Sequence, residues 1–205
     1  MTNPMMSDNR EHLLSSVSSE RLATWCGVAA VTVAIVSILL AVLAAPWFSW
    51  TDDALSNLGT AQADYPWLFN YGLVLSGLLA LPFSWRLYSA GDHPIERLGG
   101  LTLALSVTCL ALVGVFPAGH PYHLPAAVAF YLGFTLSLWF HGTGESLAGG
   151  PERGTVSIWT GIVHLLAWIG WAVWFSDRTG LAIPETVGAF TLIGWVLWRA
   201  RISLR

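Results

Sequence analysis

The sequence contains no lysine, and its nine basic residues are all arginine. Only 10% of the 205 residues are charged, far below the roughly 25% that is usual in soluble globular domains. The formal net charge is −3, and no run of basic residues offers a surface that could follow a phosphate backbone. The composition therefore excludes nucleic acid as an expected partner, and it argues against water as the main solvent of the fold.

Several familiar marks of function are also missing. The two cysteines, Cys26 and Cys109, both lie inside apolar segments, so neither a disulfide framework nor a CxxC metal knuckle is expected. The chain has no Walker A loop, dinucleotide glycine fingerprint or GxSxG elbow. No Asp or Glu lies near the centre of an apolar segment, so a carboxylate proton relay has no obvious parts.

What the sequence does contain is apolar blocks of about twenty residues. Apolar residues make up 55% of the chain, and the mean hydropathy is +0.61. A helix of about twenty residues is long enough to cross a hydrocarbon core of about 30 Å. The fold class predicted is therefore an all-α membrane bundle of six transmembrane helices, at residues 22–45, 66–88, 98–117, 124–141, 155–175 and 183–198.

The domain organisation follows from these blocks. We expect a disordered cytoplasmic tail at residues 1–20, a transmembrane domain at 21–200 and a short cytoplasmic tail at 201–205. Gly72 and Ser76 in the second block have the spacing that lets two membrane helices approach closely.

Arginine positions predict the orientation in the membrane. If both chain ends are cytoplasmic, Arg178 is the one arginine outside, as the positive-inside rule favours. Tryptophans near the block ends are typical of an aromatic belt at the headgroups. We therefore expect a multi-pass protein of a prokaryotic plasma membrane, with these arginines inside: Arg10, Arg21, Arg86, Arg97, Arg153, Arg199, Arg201 and Arg205.

The first outer loop carries a cluster of polar side chains. A short interfacial helix is predicted there, capped by Thr51 or Asp52 and ended by Gly59. Asp53, Ser56 and Asn57 then share one face at i, i+3 and i+4. These residues are candidates for catalysis or ligand binding, and the alternative is that they only cap the helix and bond the neighbouring loop.

The second outer loop, residues 116–125, carries His120 and His123 on the same side as Asp53. Neutral imidazole is the commonest metal ligand, and a catalytic zinc needs three protein ligands. His120, His123 and Asp53 are therefore candidate catalytic residues and candidate zinc ligands. The alternative is that both histidines are hydrogen-bonded loop residues.

His164 lies near the middle of the fifth block. An ionisable group is costly there, which makes it a candidate ligand-binding residue, although a neighbouring helix could also satisfy a neutral imidazole. Residues 69–76 and 130–137 share a weak pattern that would suit a repeated helix pair of a transporter.

A family resemblance rests on several short segments in a fixed order. They are Pro46-Trp47-Phe48-Ser49, Asp53-Ala54-Leu55-Ser56-Asn57-Leu58-Gly59, Leu68-Phe69-Asn70 and Gly114-Val115-Phe116-Pro117, with His123 downstream. In these the chain resembles the prokaryotic family called domain of unknown function 998. The resemblance implies a compact multi-spanning membrane protein without an established activity, and it draws attention to Ser56, Gly59, Asn70, Pro117 and His123. Asn70 thereby joins the candidate ligand-binding residues.

Three hypotheses of function remain open. The first is a structural or accessory membrane protein without a cofactor, which binds membrane lipids, a membrane-protein partner or a second copy of itself. The second is a zinc-dependent membrane hydrolase of lipid-like amides or esters. It rests on side chains similar in type to those of the seven-helix alkaline ceramidase and adiponectin-receptor superfamily. The third is a small-solute transporter.

Overall fold

The structure, a computed structural model, describes residues 4–175, 177 and 180–204, with the backbone alone for residues 4–17. These residues form six α-helices and no strand, so the predicted all-α class is confirmed. A short 3₁₀ helix, here called the loop helix, lies at Leu55–Gly59. The α-helices are α1 (Pro4–Leu43), α2 (Pro66–Ala90), α3 (Pro94–Val115), α4 (His123–Leu147), α5 (Pro151–Trp174) and α6 (Ala182–Ser203).

Proline is the first residue of four described helices, including α1 at Pro4. Pro66, Pro94 and Pro151 stand in the first turn of α2, α3 and α5, where the missing N–H removes no intrahelical bond. The turns before α3 and α5 are three residues long, and such short connections make neighbouring helices antiparallel. The chain therefore runs up and down through the bundle.

The helices form a ring. Each packs against its neighbours in the chain, and α6 returns to pack against α1. The loop helix contacts α1, α2 and α6, and we call its side of the bundle the loop-helix end and the other side the distal end. One apolar core cluster includes Leu55, Leu58 and Phe69 near the loop helix, and a second includes Phe83 and Trp195 toward the distal end.

The predicted close approach of α1 and α2 is present. A Cβ added at Gly72 would collide with the side chain of Ser37 on α1. Ser76 donates from Oγ to the carbonyl of Ala30 at 2.9 Å. The absence of a side chain at Gly72 and the small hydroxyl of Ser76 therefore let the two backbones meet.

Five of the described helices are long and apolar enough to cross a membrane, namely residues Ser18–Leu43 of α1 together with α2, α3, α4 and α5. The chain is thus a membrane protein with several apolar helices. The sixth predicted block does form α6, but Glu185, Arg199 and Arg201 make that helix less apolar than the other five.

The ends of the chain differ from the expectation. Helix α1 begins at Pro4, so residues 4–20, for which we expected a disordered tail, are helical, and residues 1–3 lie outside the described part. No Pro or Gly occurs between residues 5 and 26, so no residue there strongly disfavours a helix. Helix α6 likewise continues through Ser203, and Arg205 is outside the described residues.

The side chain of Arg86 contacts both α1 and α6 at the distal end. Arg86 near the end of α2 has Nη2 3.9 Å from Oε2 of Glu20 on α1. Its Nη1 donates to Oγ of Ser203 on α6 at 3.0 Å. The guanidinium of Arg86 therefore joins α1, α2 and α6 at the distal end.

Candidate functional site

The loop helix begins later than the sequence suggested. It ends at Gly59 as predicted, but it starts at Leu55, and Ala54 at its N-cap supplies no side-chain bond. The predicted caps, Thr51 and Asp52, are wrong. Thr51 donates from Oγ1 to Oδ2 of Asp52 at 2.8 Å instead, because these hydroxyl and carboxylate groups lie in the turn before the helix.

Asp53 holds this turn together. Its Oδ2 accepts the backbone N–H of Ser49 at 2.8 Å, and its Oδ1 accepts from Nδ2 of Asn57 at 2.9 Å. Its carbonyl oxygen accepts the N–H groups of Leu181 and Ala182, each at 3.0 Å. Asp53 and Asn57 are therefore committed to joining the loop to the start of α6.

Asn70 has a similar anchoring position. It donates from Nδ2 to the carbonyl of Gly59 at 2.8 Å. A Cβ at Gly59 would collide with Oδ1 of the same asparagine, so only glycine allows this close contact. Asn70 thus positions the loop helix, while the neighbouring Ser56 turns toward the inside of the bundle and is 9% exposed.

A cavity and a groove meet behind the loop helix. The central cavity, of about 70 Å³, is enclosed by α1, α2, α3, α4, α6 and the loop helix. The groove, of about 360 Å³, lies between α4, α5 and the start of α6. Four side chains with polar atoms line both spaces: Ser56, His123, Tyr131 and Glu185.

Glu185 is the residue that the sequence reasoning missed. Its Oε2 accepts the backbone N–H of Leu55 at 2.6 Å, and the residue is only 8% exposed. None of the ion pairs formed by the described residues involves Glu185. The signal available in the sequence is that Glu185 is the single acidic residue of the apolar block 183–198.

His123 lines both spaces from the first turn of α4. Its Nδ1 lies 2.7 Å from the carbonyl oxygen of Phe116. A carbonyl only accepts, so we assign the proton of the neutral ring to Nδ1, which leaves Nε2 as an acceptor.

The other loop histidine is placed elsewhere. His120 stacks on Phe116 with ring centroids 4.8 Å apart, and its Nδ1 accepts the N–H of Tyr122 at 3.2 Å. It lines neither the cavity nor the groove. The two histidines stay adjacent, since the N–H of His123 donates to the carbonyl of His120 at 3.0 Å, but of their two rings only that of His123 lines the groove.

His164 lines the deeper part of the groove. Its Nδ1 lies 2.8 Å from Oγ1 of Thr135, and Thr135 donates its one hydroxyl hydrogen to the carbonyl of Tyr131 at 3.1 Å. We therefore assign Nδ1 of His164 as the donor toward Thr135, which leaves Nε2 as an acceptor without a partner. Ser56, His123 and His164 are therefore the predicted residues that the fold brings to one groove.

The predicted zinc ligands do not form a set. Among the residues that the structure describes, no three His, Cys, Asp or Glu side chains are grouped so as to hold a metal ion. Both oxygens of Asp53 already accept hydrogen bonds, and the ring of His120 stacks on Phe116 and does not line the groove with His123. These residues do not fit a zinc centre.

A second polar cluster lies at the distal end. Arg199 donates from Nη1 to Oε1 of Glu145 at 2.8 Å, and Arg153 approaches the same oxygen from 3.6 Å. His141 lies with Nε2 3.9 Å from Oε1 of Glu96. His141 and Glu145 lie near the end of α4, away from the loop helix, and α6 brings Arg199 to them.

A protein-family model matches most of the chain. The family model described as "Protein of unknown function (DUF998)" matches residues 28–202, from within α1 to near the end of α6. No curated protein and no solved structure matches the chain. Since the family model covers most of the chain, including the loop helix and the groove, the chain belongs to the DUF998 family.

Proposed function

We propose that this protein is an accessory membrane protein that binds a lipid-like amphiphile in the groove between α4, α5 and α6. The observation that carries the proposal is the chemistry of the groove. Most of its lining is apolar, and Ser56, His123 and Glu185 lie together where it meets the loop helix. An apolar pocket with a few convergent polar groups is the usual form of a small-molecule site.

The groove is accessible from the side of the bundle. Leu124, Val128 and Leu132 of α4 line it and are also exposed on the surface of the protein. In a bilayer these residues face lipid, so an acyl chain can enter laterally while its polar end reaches Glu185. An amphiphile fits such a site better than a fully polar solute does.

We further propose that α6 is a sixth span and that both chain ends are cytoplasmic. Helix α6 has 22 residues, about 33 Å at about 1.5 Å per residue. Its Arg199 is paired with Glu145, which lowers the cost of a charge near the membrane. The arginines with described contacts at the distal end, Arg86, Arg153 and Arg199, favour that end as the cytoplasmic one, and Arg178 lies outside the described residues.

Exposed tryptophans support the same placement. Several indole rings near the helix ends are exposed on the surface, where they can place their N–H groups among lipid headgroups. They are Trp25, Trp47, Trp50, Trp67, Trp85, Trp159 and Trp174. We take the membrane to be the plasma membrane of a prokaryote, and the loop-helix end to face outward.

The test of amphiphile binding is a matched pair of variants on α4. Ala127→Trp fills the groove from its wall, whereas Ala129→Trp places the same ring on an exposed face outside the groove. Each protein is purified in a mild detergent, and the lipids retained are counted by native mass spectrometry. We expect wild type and Ala129→Trp to retain an amphiphile that Ala127→Trp loses.

Equal retention by all three proteins, or by none of them, would contradict the proposal. Folding of each variant is checked by size-exclusion chromatography before the comparison. No contact in the groove supports the zinc hydrolase or the small-solute transporter over amphiphile binding, and both stay predictions. Assembly with a membrane-protein partner or with a second copy stays a prediction too.

A further inference from the structure

We propose that the polar end of the amphiphile is a primary amine, which presents N–H donors and a positive charge to Glu185. This inference rests on the amphiphile binding proposed above and adds the chemical class of the ligand. It follows from which atoms of the groove can accept hydrogen bonds and from the charge that is buried there.

Hydrogen-bond acceptors predominate at the polar end of the groove. Nε2 of His123 is an acceptor, because Nδ1 carries the proton that is directed to Phe116. The carboxylate of Glu185 uses Oε2 for the N–H of Leu55, and no hydrogen bond occupies Oε1. The hydroxyls of Ser56 and Tyr131 can act in either direction, so the site offers more acceptors than fixed donors.

His164 supplies no donor to the polar end of the groove. Its Nε2, assigned as an acceptor because Nδ1 is directed to Thr135, is buried beside Gly188. The acceptors open to a ligand are therefore those of Glu185 and His123. A ligand with several N–H donors supplies what these two residues lack.

The charge of Glu185 points in the same direction. The residue is 8% exposed, and no arginine or histidine forms an ion pair with it among the described residues. A carboxyl group buried without a counter-ion is costly to ionise, and hydrogen bonds from a charged donor are stronger than neutral ones. An ammonium group offsets that cost, whereas a fatty acid would place a second acidic group beside the first.

The test uses four probes with one dodecyl chain and different polar ends. Dodecylamine carries a charge and N–H donors, and dodecyltrimethylammonium carries the charge without donors. Dodecanol has one neutral donor, and dodecanoate is an anion. Each is titrated into wild-type protein in a maltoside detergent, and the affinity is corrected for micelle partitioning with Ala127→Trp, whose groove is filled.

We expect dodecylamine to bind wild type about tenfold or more tightly than each of the other probes, as a charge-assisted hydrogen bond to a buried carboxylate implies. Glu185→Gln keeps an oxygen for the N–H of Leu55 but removes the charge. In that variant dodecylamine should bind no more tightly than dodecanol. If Glu185→Gln does not fold, the ranking of the four probes on wild type decides alone.

The outcomes separate this inference from the proposed function. Four equal affinities that all fall in Ala127→Trp would leave amphiphile binding standing and overturn the amine. A preference for dodecanoate, or an amine preference that persists in Glu185→Gln, overturns it too. If Ala127→Trp changes the binding of no probe, both proposals fail.

Discussion

Arg199 on α6 donates from Nη1 to Oε1 of Glu145 on α4 at 2.8 Å, and both side chains are buried. Helix α6 otherwise packs mainly against α1 and α5. Oε2 of Glu145 and Nε of Arg199 have no partner in the described structure, and Arg153 is a second cation near the same carboxylate, 3.6 Å from Oε1. The pair adds a charged bond to the ring contacts of Trp195 with Phe134 and His141, which also join α6 to α4.

Removing one member of this pair should be costly. We expect Arg199→Ala to lower the free energy of unfolding by about 3 kcal/mol, because it leaves the buried Glu145 carboxylate with only the exposed Arg153 as a cation, 3.6 Å from Oε1. Thermal unfolding in detergent measures the change, and Arg201→Ala, which alters an exposed arginine on the same helix, is the control. The double replacement Arg199→Met with Glu145→Met should recover most of the loss, and a double variant as unstable as Arg199→Ala would contradict this account.

The close approach of α1 and α2 makes a second prediction. Gly72→Ala places a methyl group against Ser37, and overpacking of this kind costs about 1–3 kcal/mol. Gly194→Ala is the matched control, because nothing lies within 4 Å of a Cβ at that position. If the two alanine variants unfold at the same temperature, the helices are not as close as described.

Asp53 should be needed for an ordered loop. Asp53→Ala removes the acceptor for both Ser49 and Asn57, so we expect faster protease cleavage between residues 46 and 65. Asp64→Ala in the same loop changes an exposed residue and should cleave like wild type. Equal cleavage rates for the two variants would assign Asp53 some other role.

Two substitutions of Glu185 differ in whether the N–H of Leu55 keeps a hydrogen-bond acceptor. Glu185→Gln retains an oxygen for the N–H of Leu55, and Glu185→Ala does not. A buried N–H that loses its acceptor costs about 1–3 kcal/mol. Hydrogen exchange at Leu55 should accelerate in Glu185→Ala and change little in Glu185→Gln, and protection that survives in both variants would show that the bond is not formed.

The bundle was predictable from the sequence because its signals are local. Apolar blocks, prolines at helix starts and the Gly72–Ser76 spacing each depend on residues close together in the chain. The helix ends were less predictable, since hydropathy stops at Glu96 and Glu145 while the helices continue past them. Burial of those carboxylates depends on partners from other helices.

The groove was predictable only in part. Ser56, His123 and His164 stood out as polar residues in apolar or loop surroundings, and the fold brings them to one place. Glu185 bonds to Leu55 across 130 residues, a distance in sequence that no local pattern covers. The ring of His123 lines the groove and the ring of His120 does not, and this difference likewise depends on where α4 begins.

Arg86 also has a consequence for protein engineering. Since its guanidinium reaches both Glu20 and Ser203, position 20 of α1 lies near the last turn of α6, and a short linker can join the two once the part of α1 before Glu20 is removed. New chain ends can then be opened at the exposed turn 148–150, where Gly149 has a positive φ and open space around it. A circularly permuted protein cut at this turn should keep the same helix ring, with its termini relocated beside α4 and α5.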